Sequence, residues 1–102
     1  MLASRMSYFL RAAALAGLLV LAGCQSAPVQ EMSDARQAIS VAKKAGAEEL
    51  APQDLQTAMD YLDSAESFIN ERRYDKARRD AVSAKASALD ALRVSSEKTP
   101  EP

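Results

Sequence analysis

Five residue groups in this chain could carry chemistry. There is one thiol, Cys24, and no histidine among 102 residues. The second group is the Ser and Thr hydroxyls, which no histidine is there to activate as nucleophiles. Three carboxylates, Asp60, Asp63 and Glu66, stand three residues apart. On a helix that spacing puts them on one side. Paired carboxylates do acid–base work when burial or a neighbour splits their pKa values. Nothing in the flanking residues predicts such burial, so the simpler reading is a solvated acidic face. An EF-hand loop needs alternating oxygens and a central Gly; 60–66 has no Gly and falls in a predicted helix. Zinc ligands of the Cys/His type are absent. The fourth group is RRYDKARR, residues 72–79, with five bases and one acid around Tyr74. Arg72, Arg73, Lys76 and Arg79 could meet an anion or an acidic partner, or form a solvated surface paired with neighbouring acids. The fifth is an aliphatic pair, Val82 and Leu89, seven residues apart. This pair either packs on another helix or faces outward as a partner stripe.

The thiol has a distinctive setting. Arg5 and Arg11 precede an uninterrupted apolar run from Ala12 to Ala22, and no acid occurs before Glu31. Eleven apolar residues are too few to span a bilayer, which takes about 20. A basic head, a short apolar middle and small closing residues describe a secretory signal. Leu21-Ala22-Gly23-Cys24 resembles the lipobox of bacterial lipoproteins. That resemblance implies cleavage between Gly23 and Cys24, a diacylglyceryl thioether on the Cys24 sulfur and an acyl chain on its amine. Two or three acyl chains hold a protein to a membrane far more firmly than one. Gln25 follows the cysteine, where Asp would resemble an inner-membrane retention signal. The expected address is therefore the periplasmic face of the outer membrane.

After Gly23 the chain has 11 Lys and Arg against 14 Asp and Glu, a formal net charge of −3. Mild acidity argues against nucleic acid as a partner. No second cysteine is available for a disulfide, and no cofactor beyond the covalent lipid is implied. Alanine occurs 15 times in this part and Gly once, at Gly46. Such a composition favours helix, and the length allows one small domain.

The chain divides into a signal peptide (1–23), a lipidated tether (24–31), a helical domain (32–96) and a disordered tail (97–102). The expected fold is all-α, a small three-helix domain or helical hairpin. The first helix is predicted over about Ser33 to Ala47, with Ser33 as N-cap and Gly46 supplying the stop. The second covers Pro52 to Glu71, with Pro52 at the first helical position. Leu55, Ala58, Met59, Leu62, Ala65 and Ile69 form its apolar face, and Tyr61 and Phe68 widen it. So broad a face predicts that this helix is the central one. The third covers Tyr74 to Ser95, with Ala77, Ala81, Ala84, Ala88 and Ala91 as a seam of small residues. Tyr74 and Leu92 close the ends of the seam. Residues 52–71 carry five acids and no base, whereas 72–98 carry eight bases and four acids. That asymmetry predicts flank attraction between these two helices.

Ala65, Phe68, Tyr74, Ala77, Ala81 and Ala84 fall at the spacing of a single tetratricopeptide helix pair, with Arg72 where a turn Gly is usual. A longer resemblance runs from ARQAISVAKKAGAEELAP through LQTAMDYLDSAESFINERRYDKARRDAVSAKA. In its AxxAxxxA start, AGAEELAP joint, LxxAxxxLxxA helix and YxxARxxA return, the chain resembles the DUF4398 family. That family comprises small Ala-rich bacterial lipoprotein domains of unassigned function. The resemblance names no reaction, so function is read from the residues: without histidine or a carboxylate cleft, and with an expected lipid anchor, they point to a non-enzymatic structural or adaptor protein that binds an envelope protein or the cell wall. The alternative is a self-associating spacer resembling the small murein lipoproteins. Those are continuous coiled coils, whereas Gly46, Pro52 and the 70–74 turn interrupt any single long helix here.

Overall fold

The computed structural model describes Ser7, Tyr8, Arg11 and residues 26–100. The described residues 26–100 form four α-helices and no strand, as an all-α domain requires: α1 (Val29–Lys44), α2 (Ala47–Leu50), α3 (Pro52–Asn70) and α4 (Tyr74–Lys98). Apart from Ser7, Tyr8 and Arg11, the expected signal peptide and the expected lipidation site, Gly23 and Cys24 included, lie outside the described residues.

The alanine seam organises the domain. Ala77, Ala81, Ala84, Ala88 and Ala91 are all fully buried. With nothing larger than a methyl group on this face, neighbouring helices come close to the α4 backbone. The larger side chains come from those neighbours. Met32 packs with Ala65 and Ala81 toward one end, and Ile39 and Leu55 pack around Ala88 and Ala91 toward the other. Leu62 touches both clusters.

The central helix is α4, not the second predicted helix. It lies along both α1 and α3, which contact each other much less. Of α3 only Leu55, Ala58 and Ala65 are fully withdrawn from solvent, and Tyr61 is 39% exposed. Tyr61 therefore does not widen the packed face. A stripe of methyl groups accepts two partner helices where a wide face of bulky residues accepts one, and that reverses the expectation.

The first helix begins four residues earlier than Ser33. Pro28 precedes it with φ −76°, and the Pro28 carbonyl accepts from the Met32 N–H at 3.0 Å. Buried Pro28 and Met32 pull this turn onto the domain. Ser33 is consequently an exposed residue inside α1 rather than its cap, and the last three residues of the expected tether, Val29 to Glu31, are helix. Gly46 does end the helix, in the left-handed conformation at φ +86°. One further turn, α2, intervenes before Pro52 opens α3 as expected.

The last helix runs on to Lys98. Ser95 is fully buried, and its Oγ donates to the Ala91 carbonyl at 2.7 Å. Lys98 Nζ donates to the Leu50 carbonyl at 2.8 Å, which ties the helix end to α2. Glu97 and Lys98, placed in the expected disordered tail, are therefore helical.

The α3–α4 turn is a Schellman motif. The Arg73 N–H donates to the Phe68 carbonyl at 2.8 Å and the Arg72 N–H to the Ile69 carbonyl at 2.9 Å. The motif needs a left-handed residue, and Arg72 supplies it at φ +60°. For a residue with a Cβ this conformation costs about 1–2 kcal/mol, while Gly in the unfolded chain costs about 0.4–1 kcal/mol in entropy. Arg72→Gly is thus expected to raise stability by roughly 0.5–1 kcal/mol. Arg72→Ala, which keeps the Cβ, brings no comparable gain. Thermal unfolding of the two variants side by side checks this.

Candidate functional site

The three carboxylates are dispersed along an outer flank of α3. Asp60 accepts from Gln56 Nε2 at 2.9 Å, and Glu66 pairs with Arg36 of α1 at 3.1 Å with both side chains about half exposed. Asp63 is exposed. No cleft joins them. Among the described residues there is also no group of three His, Cys, Asp or Glu placed to hold a metal ion.

One polar contact was not legible beforehand. Ser64 Oγ donates to Asp80 Oδ2 at 2.5 Å, joining α3 to α4 at a half-buried site. With Thr57, Asp60 and Tyr61 it lines an open concavity of about 310 Å³. A hint was available: Ser64 lies one residue from Ala65 and Asp80 one from Ala81, so both flank the packed seam. Ser64→Ala deprives a partly desolvated carboxylate of its donor. A hydrogen bond to a charged group contributes about 1.5–3 kcal/mol, and water reaching Asp80 recovers part of it. The expected loss is about 1–2 kcal/mol, read as a lower urea midpoint at unchanged m-value.

The RRYDKARR segment forms the turn and the first turns of α4. Tyr74 is half-buried. Arg73 reaches Glu71 at 3.5 Å, and Lys76 Nζ sits 5.7 Å from the Phe68 ring centre. Arg78 pairs with Glu31 at 3.1 Å and Asp75 at 3.8 Å. Arg72 and Arg79 are exposed and form no ion pair among the described residues. The expected attraction between α3 and α4 is overturned. The ion pairs linking helices run instead from α1: Arg36–Glu66, Glu31–Arg78 and Asp34–Lys85, the last at 4.0 Å. Alanine contact brings α3 and α4 so close that their long charged side chains splay outward, and α1 meets them at the flanks. Exposed pairs of this kind contribute about 0–1 kcal/mol each.

Val82 and Leu89 face outward. Val82 is 54% exposed and Leu89 47%. Leu89 and Val41 of α1, itself 42% exposed, share an open groove with Ala38, Asp34 and Lys85. Val82 borders a second concavity with Arg78, Arg79 and Asp75, about 550 Å³ in volume. Neither side chain is buried against α1: Leu89 borders it beside Val41, and both members of the pair keep about half of their surface open. The sequence-predicted basic and aliphatic residues thus share one helix: the cations gather at the turn end, Val82 borders them, and Leu89 lies farther along α4 beside Val41.

These features define a small all-α domain in which a hairpin of two long helices is completed by a third. Residues 30–101 match a family described as Domain of unknown function (DUF4398), and the chain belongs to that family. No curated protein and no solved structure matches the chain.

Proposed function

We propose that this chain is a non-enzymatic lipoprotein, anchored through Cys24 at the periplasmic face of the outer membrane, that acts as an adaptor for an envelope protein or the cell wall. The observation that carries the adaptor reading is the outward aliphatic flank, Val82 and Leu89 of α4 with Val41 of α1. Side chains of this kind normally fill a core, and this core is short of them because its seam is alanine. Leaving three of them half exposed on one flank suits a surface that is covered by a partner. The anchor reading stands on Leu21-Ala22-Gly23-Cys24 and the basic, apolar segment before it.

A photo-reactive residue in place of Leu89, with a second chain carrying it at exposed Gln53 of α3, tests the surface in living cells. The expected result is one discrete adduct from position 89 and none from 53. An adduct of twice the chain mass at 89 converts the reading to the self-associating spacer. Equal adducts from both positions, or none from 89, refute this flank as the contact surface.

A further inference from the structure

We infer that the cationic turn end of the domain rests on the anionic phospholipids of the membrane that holds the anchor, so that the helices stand away from the bilayer. This deepens the proposal above and rests on the Cys24 anchor.

The inference comes from where the chain enters the fold. Helices α1 and α4 run parallel, with Glu31 beside Arg78 at one end and Leu50 beside Lys98 at the other. The start of α1 therefore lies at the same end as the α3–α4 turn. Arg78 Nη2 reaches the Ser26 carbonyl at 3.5 Å. Cys24 is two residues before Ser26, and two residues span at most about 7 Å. Acyl chains on Cys24 bring this end, and no other, to the headgroups.

The charge at this end suits that surface. Glu71 engages Arg73, while Glu31 and Asp75 engage Arg78. Arg72 and Arg79 are left without an ion pair among the described residues, and Lys76 lies over Phe68. The opposite end mixes Lys43, Lys44 and Lys98 with Glu48, Glu49 and Asp54, so it has no comparable excess. Attraction between exposed charges acts within a Debye length of about 8 Å, and the two-residue reach from Ser26 to Cys24, at most about 7 Å, is no longer than that. At 1.5 Å per residue from Tyr74, Val82 and Leu89 stand roughly 12 and 22 Å along α4 from the turn. In this pose the aliphatic flank clears the headgroups and stays open to a partner.

The test uses protein purified from membranes, its Cys24 lipid first verified by intact mass. It is placed in vesicles of phosphatidylcholine alone, or with 30% phosphatidylglycerol, and acetylated briefly. Peptide mass spectrometry then reads Lys76 against Lys44 at the far end. The expected result is at least a threefold fall in relative Lys76 labelling on the anionic vesicles, reversed by 0.5 M NaCl. A chain carrying Arg72→Asn, Arg73→Gln and Arg79→Gln, all exposed positions, should lose that contrast. Equal labelling in both vesicles overturns the inference while leaving the anchor intact. So does a fall produced only by added peptidoglycan. A bare Cys24 sulfur overturns the anchor, and this inference with it.

Discussion

Ala88→Leu is expected to destabilise the domain severely, whereas Ala86→Leu on the same helix should leave it nearly unchanged. Ala88 is fully buried among Ile39, Ala42, Leu55, Ala58 and Ala91. Its methyl group sits in a buried cluster to which α1, α3 and α4 all contribute, so three added carbons have nowhere to go. Overpacking typically costs about 1–3 kcal/mol, occasionally more. A domain of this size has roughly 4–11 kcal/mol in all, at about 0.05–0.15 kcal/mol per residue. Each kcal/mol moves the melting temperature of so small a domain by about 4–8 °C, so a fall of roughly 5–25 °C is expected. Ala86 is exposed, and Ala and Leu differ little in helix propensity. Its leucine variant should stay within about 0.5 kcal/mol of the parent. Thermal unfolding by circular dichroism compares the pair directly. Equal melting temperatures would mean that the seam is not the packed axis of the fold.

The second large effect is on location. With Cys24→Ala, no sulfur is available to carry the diacylglyceryl group, and the implied cleavage after Gly23 requires that group. The variant is expected to keep residues 1–23 and to disappear from the outer-membrane fraction. Its retained apolar run of 11 residues is too short to span a bilayer, so any residual membrane association should be weak. Envelope fractionation with intact-mass measurement reads both outcomes at once. A cleaved chain still in the outer membrane would refute the anchor. The helices Val29 to Lys98 are expected to form alike in both chains, and circular dichroism checks that the variant's change is one of location.

Both predictions draw on features visible in the chain itself. The alanines at 77, 81, 84, 88 and 91 are spaced for one helix face, and helix periodicity is a property of neighbours three and four residues apart. The Pro52 start, the Gly46 stop and the 70–74 turn are local in the same sense. Met32 could have been found that way too, since it lies three residues before Ala35 and seven before Ile39 on the same face. Instead Ser33 invites a cap assignment, because a good capping residue is recognised by type while burial of Pro28 and Met32 depends on helices far along the chain.

By itself the sequence determined four things: an all-α domain, its helix breaks, the small-residue seam and the cysteine after a short apolar run. Only the tertiary structure decided that α4 is central, that α1 rather than α3 supplies its ion-pair partners, and that Ser64 meets Asp80. It also decided that the start of α1 and the cationic turn share one end. Periodicity fixes which side of a helix is apolar, but not which two neighbours will press against it. That choice depends on how closely backbones can approach, which is settled when all three long helices pack at once.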